Sequence, residues 1–143
     1  MNILNKKYGF TLMEMMIVVV ILGFLSVAGI PYYKKHIERQ KAALGITNLR
    51  AIADSAERYM AMHNDAPPTN FDMIDAELDS SKLSADHTSY NDGNFRFNFN
   101  GGTVIGQRNT GDYTLTYSLA NSAISCTPSD YCLNTLNLSP SDL

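Results

Sequence analysis

Basic charge is scarce in this 143-residue chain. Eleven Lys and Arg stand against fourteen Asp and Glu, for a formal net charge of −3. No basic stripe is available to neutralise phosphates, which argues against nucleic acid as a partner. Cysteine is scarce too, with only Cys126 and Cys132, in "SCTPSDYCL". Their spacing is wrong for a C-x-x-C redox centre, and two cysteines with no nearby histidine are too few for a structural zinc site. A disulfide is the better reading and places the C-terminal part in an oxidising compartment. Two unpaired buried thiols are the alternative. A catalytic constellation is also missing. His36, His63 and His87 are scattered with no spaced partner, so each is expected to be an exposed histidine rather than a base or ligand. The chain has no internal repeat and no low-complexity tract. Nothing in it indicates an enzyme, and no catalytic residue or cofactor is expected.

Polar side chains nearly vanish between residues 10 and 30, where only Thr11, Glu14 and Ser26 interrupt an apolar run. As a helix that run is roughly 31 Å long, enough to cross a bilayer. A cleaved secretory signal would have a shorter apolar core and a small-residue cleavage site. This run instead continues into Pro31-Tyr32-Tyr33-Lys34-Lys35. A buried core helix is disfavoured, because so small a polar remainder could not surround it. Cations on both sides, Lys6 and Lys7 before and Lys34, Lys35, Arg39 and Lys41 after, leave the positive-inside rule ambiguous. If the disulfide forms, the N-terminus lies inside and the globular part outside.

The helical pattern continues past Pro31. Ile37, Ala42, Ile46, Leu49, Ala53, Ala56 and Met60 recur mostly every three or four residues, and Leu44, Ile52 and Tyr59 widen the stripe. One helix of about 53 residues is expected, roughly 80 Å long. Gly23 and Pro31 weaken it and mark where it could bend or open. Asp54 and Arg58, four apart, are placed to pair weakly. Ala66-Pro67-Pro68 ends the helix. The spacing of Phe71, Ile74 and Leu78 suggests a short helical turn in the loop that follows. The period then changes to two. Phe95, Phe97 and Phe99 alternate with polar residues, as do Tyr113, Leu115, Tyr117 and Leu119. Gly101-Gly102 and Asn109-Thr110-Gly111 flank a middle strand, "TVIGQR". The expected fold is α+β, a long N-terminal helix whose amphipathic half covers a small antiparallel sheet.

Two groups carry alternative chemistry. Asp72, Asp75, Glu77 and Asp79 lack the order of an EF-hand loop, so a solvated loop is the default and calcium at Asp72, Asp75 and Asp79 the alternative. Phe95, Phe97 and Phe99 could stack bases, but a packed strand face fits a net-negative chain better. That leaves Glu14. A central membrane carboxylate costs about 2.5–3.5 kcal/mol on insertion scales, and less near a helix end. No Lys or Arg lies inside the run to offset it. A chain beginning at Phe10 would supply an α-amino group four residues earlier, able to meet Glu14 of a neighbouring copy. A protonated or snorkelling glutamate at the interface is the other reading.

The segment "KKYGFTLMEMMIVVVILGFLSVAGIPYY" resembles the N-terminus of type IV prepilins and pseudopilins. The features are a short basic leader ending in Gly9, then Phe10, Thr11-Leu12, Glu14, the apolar run and Pro31. The resemblance covers about the first 35 residues. It implies the following organisation: 1–9 a cleaved leader, 10–30 a transmembrane and polymerisation helix, 31–63 an amphipathic helix, and 64–143 the loop, sheet and C-terminal disulfide loop. It also implies that a prepilin peptidase cuts between Gly9 and Phe10 and N-methylates Phe10. A single-pass precursor in the bacterial inner membrane would then be drawn by an assembly platform into a homopolymer or a co-polymer with other pilins. Glu14 would pair with the Phe10 amine of an adjacent subunit, and the helix between Gly23 and Pro31 would be free to unwind. Met13, Met15 and Met16 depart from the usual Ile or Leu but keep the segment apolar. The implied function is a structural subunit of a type IV pilus serving adhesion, motility or DNA uptake. The alternative is a pseudopilin of a secretion or competence system. The cysteine pair favours the pilin, and the acidic loop keeps the alternative open.

Overall fold

The computed structural model describes residues 9–139, so Met1–Tyr8 of the expected leader lie outside the described residues. The chain divides into two units, at His36 and Ile37. One helix, α1 (Leu12–Met62), runs through the division with Pro31 inside it. In the first unit the apolar side chains of α1 are exposed, Phe24 and Val27 among them. By length and composition this stretch is able to cross a membrane.

In the second unit the rest of α1 covers a five-stranded antiparallel sheet in the order β1-β2-β3-β4-β5. The strands are β1 (Ser89–Asn91), β2 (Phe95–Asn100), β3 (Thr103–Arg108), β4 (Thr114–Ser118) and β5 (Ala123–Thr127). The central three follow the alternation of large apolar residues. β1 and β5 are additions, since each carries too few such residues to announce itself. Register fixes the buried face, because a slip of one residue would turn every side chain over. Phe97 stands opposite Gly106, and Gly106 opposite Leu115.

The core joins Ala42, Leu49, Ala53 and Ala56 of α1 to Phe95, Phe97, Val104 and Leu115 of the sheet. Small residues let the helix come close. A Cβ on Gly45 would lie 2.6 Å from the Phe95 ring, and one on Gly106 would lie 2.8 Å from the Phe97 ring. Leu44, expected on the stripe, is 61% exposed. It falls between Ala42 and Ile46 on the far side of the helical wheel, so the buried stripe does not widen to include it. Of Phe71, Ile74 and Leu78, only Phe71 lies in a helical turn, a 3-10 turn at Phe71–Met73. Phe71 and Ile74 are nonetheless buried.

Candidate functional site

The candidate site is the head of α1. Thr11 stands just before the first helical turn. Its hydroxyl accepts the Glu14 backbone N–H at 3.2 Å, while Glu14 Oε2 accepts the Thr11 backbone N–H at 2.8 Å and the Thr11 hydroxyl at 2.9 Å. This is the reciprocal capping box of a Thr-x-x-Glu sequence. It satisfies backbone donors that a helix start leaves open and sets a carboxylate at the positive end of the helix dipole. The signal is present in Thr11-Leu12-Met13-Glu14, and it supplies a neutral partner rather than a cation. Glu14 therefore has a partner in its own chain. Its Oε1 accepts no hydrogen bond among the described residues. Gly9 and Phe10 are exposed beside it, Phe10 by 80%.

Pro31 interrupts the helical hydrogen-bond ladder at a cost of about 3 kcal/mol or more in a helix interior. The helix nevertheless continues into the Tyr32-Tyr33-Lys34-Lys35 segment, all exposed.

At the start of the second unit, Glu38 is clasped by Arg108 of β3. The guanidinium donates from Nε to Oε2 and from Nη2 to Oε1, both at 3.1 Å, and from Nη1 to the Asn94 carbonyl at 2.7 Å. The Arg108 side chain is only 4% exposed and also lies over the Phe95 ring. Lys41 adds a second cation at 3.2 Å. Arg108 holds the Glu38 carboxyl below its ordinary range, chiefly through these hydrogen bonds. The sequence showed neither partner, because they are 70 residues apart.

The acidic loop residues go to separate partners. Asp72 pairs with His87 at 2.7 Å, and Asp75 with Arg58 at 2.7 Å. Asp79 caps the turn Ser80–Lys82. The structure does not bring Asp72, Asp75 and Asp79 together, and no group of three or more metal-binding side chains occurs among the described residues. Two expectations change here. His87 is a hydrogen-bond partner of Asp72 rather than a loop histidine without a partner. Arg58 takes Asp75 with two hydrogen bonds, from Nε at 3.0 Å and Nη2 at 2.7 Å, in place of the expected Asp54. A carboxylate presented face-on satisfies the guanidinium fork better than one four residues away on the same helix. His63 caps the end of α1, its Nδ1 2.8 Å from the Tyr59 carbonyl and its ring stacked on Tyr59. Cys126 and Cys132 form a disulfide that ties β5 to the helical turn after it.

Residues 4–30 match the family model for the prokaryotic N-terminal methylation motif. The chain is 28% identical over 91 residues to the type II secretion system core protein G of Aeromonas hydrophila, covering 64% of this chain and 63% of that protein. It is 39% identical over 54 residues to a fimbrial protein of Pseudomonas aeruginosa, covering 38% and 35%. It is 51% identical over 43 residues to the type IV major fimbrial protein FimA of Dichelobacter nodosus, covering 30% and 27%. The matched stretches thus span less than two thirds of each relative. No solved structure matches. Residues 4–30 thus carry the N-terminal methylation motif, the relatives reported are a type II secretion core protein and type IV fimbrial proteins, and the long N-terminal helix on an antiparallel sheet is consistent with the type IV pilin fold.

Proposed function

We propose that this chain is a structural subunit of a type IV pilus. A prepilin peptidase removes residues 1–9 and methylates Phe10. The precursor waits in the inner membrane on its apolar helix until an assembly platform packs it against other copies. The observation that carries this reading is the head of α1, where Phe10 and Glu14 stand exposed at the start of an unpartnered apolar helix. Glu14 Oε2 is occupied by Thr11, and Oε1 remains to receive the Phe10 amine of a neighbour. Moving an apolar helix from lipid to protein gains little hydrophobic free energy, so packing and charge pairing must set direction and register. A buried polar pair used for register is the best-attested role of such pairs. Gly23 and Pro31 mark the stretch where the helix opens during packing. The C-terminal disulfide loop belongs to the globular part that the assembled fibre presents.

Mass spectrometry of the mature protein tests this directly. The expected species lacks residues 1–9 and carries a methyl group on Phe10. An intact leader on the mature chain would overturn the reading. A periplasmic pseudopilus subunit is the second reading, favoured by the longer match to core protein G. Immuno-electron microscopy with an antibody to residues 64–143 separates the two. Label along surface fibres supports the pilus, and label confined to the envelope supports the pseudopilus.

A further inference from the structure

The charge map of this chain contains two anomalies. Nine of its fourteen acids fall between residues 54 and 92, against only Arg58 and Lys82. Just after the apolar run come Lys34 and Lys35, followed by Arg39 and Lys41. With Lys6 and Lys7 on the other side the positive-inside rule stays ambiguous and gives no reason for these four cations. A topological signal does not explain them. Arg39 donates to the Thr135 carbonyl at 3.2 Å and Lys41 pairs with Glu38, but Lys34 and Lys35 are exposed and make no such contact among the described residues.

The second unit holds a matching receptor. A groove of about 480 Å³ lies between α1 and the segment around residues 75–78. Apolar surface from Ile52, Leu78 and Tyr90 lines it, together with the carboxylates of Asp54, Asp75 and Glu77. Arg58 is the only cation in the lining, and its guanidinium is committed to Asp75. Asp54 and Glu77 make no hydrogen bond or ion pair among the described residues. The groove therefore carries a surplus of about two negative charges above an apolar floor. A lysine suits such a site, with its methylenes on apolar surface and its ammonium at the carboxylates.

We propose that the Lys34-Lys35 pair of one copy docks on the Asp54/Glu77 groove of a second copy. The inference rests on the filament reading and adds a lateral contact to it, separate from the Glu14 pairing. Two adjacent ammonium groups match two unpaired carboxylates in number and sign. Lys34 and Lys35 and the two carboxylates are exposed, so nothing in the isolated subunit has to move to make the contact.

The test uses the mature protein of native sequence, cleaved before Phe10 and methylated there, assembled from an equal mixture of isotopically light and heavy chains. A carbodiimide joins amines directly to carboxylates in contact, and peptide mass spectrometry then identifies the links. The expected result is mixed light–heavy peptides joining Lys34 or Lys35 to Asp54 or Glu77. A second arm measures fibre yield. Lys34→Glu with Lys35→Glu, and separately Asp54→Lys with Glu77→Lys, should each lower yield at least tenfold. Combining all four should restore it to within about threefold of the original. Fibres that form without these mixed links would overturn the contact and leave the filament reading standing. Absence of fibres from the mature chain of native sequence would overturn both. If the lysine reversal instead abolishes binding to phosphatidylglycerol vesicles and is not rescued by the carboxylate reversal, the lysines serve lipid headgroups and the proposal falls.

Discussion

Arg108 grips Glu38 through two parallel hydrogen bonds of 3.1 Å, bringing together residues 70 positions apart. The pair fixes the register of α1 on the sheet. Each partner is unforgiving of the other's removal, because a charge left alone in a desolvated place costs far more than the pair gains. Glu38→Gln should destabilise the globular unit by about 3 kcal/mol, the low end for buried pairs because Glu38 retains some exposure. Replacing both partners, as Glu38→Leu with Arg108→Met, should recover much of that loss. Denaturant unfolding of the full chain in detergent micelles measures both variants.

Gly45 sets two effects of opposite sign against each other. Alanine in place of a mid-helix glycine favours the helix by about 1 kcal/mol. A Cβ there would sit 2.6 Å from the Phe95 ring, itself 1% exposed and held on every side. Overpacking typically costs about 1–3 kcal/mol, so the clash should win. Gly45→Ala is expected to lower the unfolding midpoint, and adding Phe95→Leu should relieve part of the loss.

Tyr113 is buried with a hydroxyl that finds no hydrogen-bond partner among the described residues. Burial pushes its pKa up. An unsatisfied buried hydroxyl costs about 1–3 kcal/mol. Tyr113→Phe keeps the ring contacts with Phe95 and Tyr131 and should stabilise the unit by about 1 kcal/mol, read as a higher unfolding midpoint.

Acid should weaken this fold. Arg108 lowers the pKa of Glu38, Arg58 lowers that of Asp75, and the Ser84 and Thr88 hydroxyls pull Asp86 down from 3.8 to about 2. In each case the unfolded state takes up protons first as pH falls. These contributions are therefore fully present above the ordinary carboxylate range. They fade from about pH 4.5 downward, with the Asp86 part lost only towards pH 2. Unfolding midpoints measured across this range should fall with acid. Asp86→Asn should flatten the portion below pH 4.

The long helix and the three central strands were legible because their patterns are repetitive and local. Phe95-x-Phe97 and Leu115-x-Tyr117 declare a strand by themselves. Ser89-Tyr90-Asn91 does not, and β1 exists only because Tyr90 finds Phe97 across the ladder. β5 gave no strong signal for the same reason, with Ile124 and Cys126 its only apolar inward residues. Side-chain pairing was less legible than backbone pattern. Asp54 lies four residues from Arg58 in sequence, yet Asp75 wins the guanidinium through geometry that only the folded loop supplies. At the head of α1 the opposite holds. The capping box is written in Thr11-x-x-Glu14, a local signal that needs no fold to be read.

The central claim is that the charge on Glu14, beyond its role as a helix cap, drives assembly. Fibre yield from Glu14→Gln tests it most directly. Glutamine still accepts the Thr11 hydrogen bonds but carries no charge, whereas Glu14→Ala removes both. Both variants should insert in the membrane and lose residues 1–9 normally, and both should give at least tenfold fewer fibres. Normal fibre yield from Glu14→Gln would contradict the account.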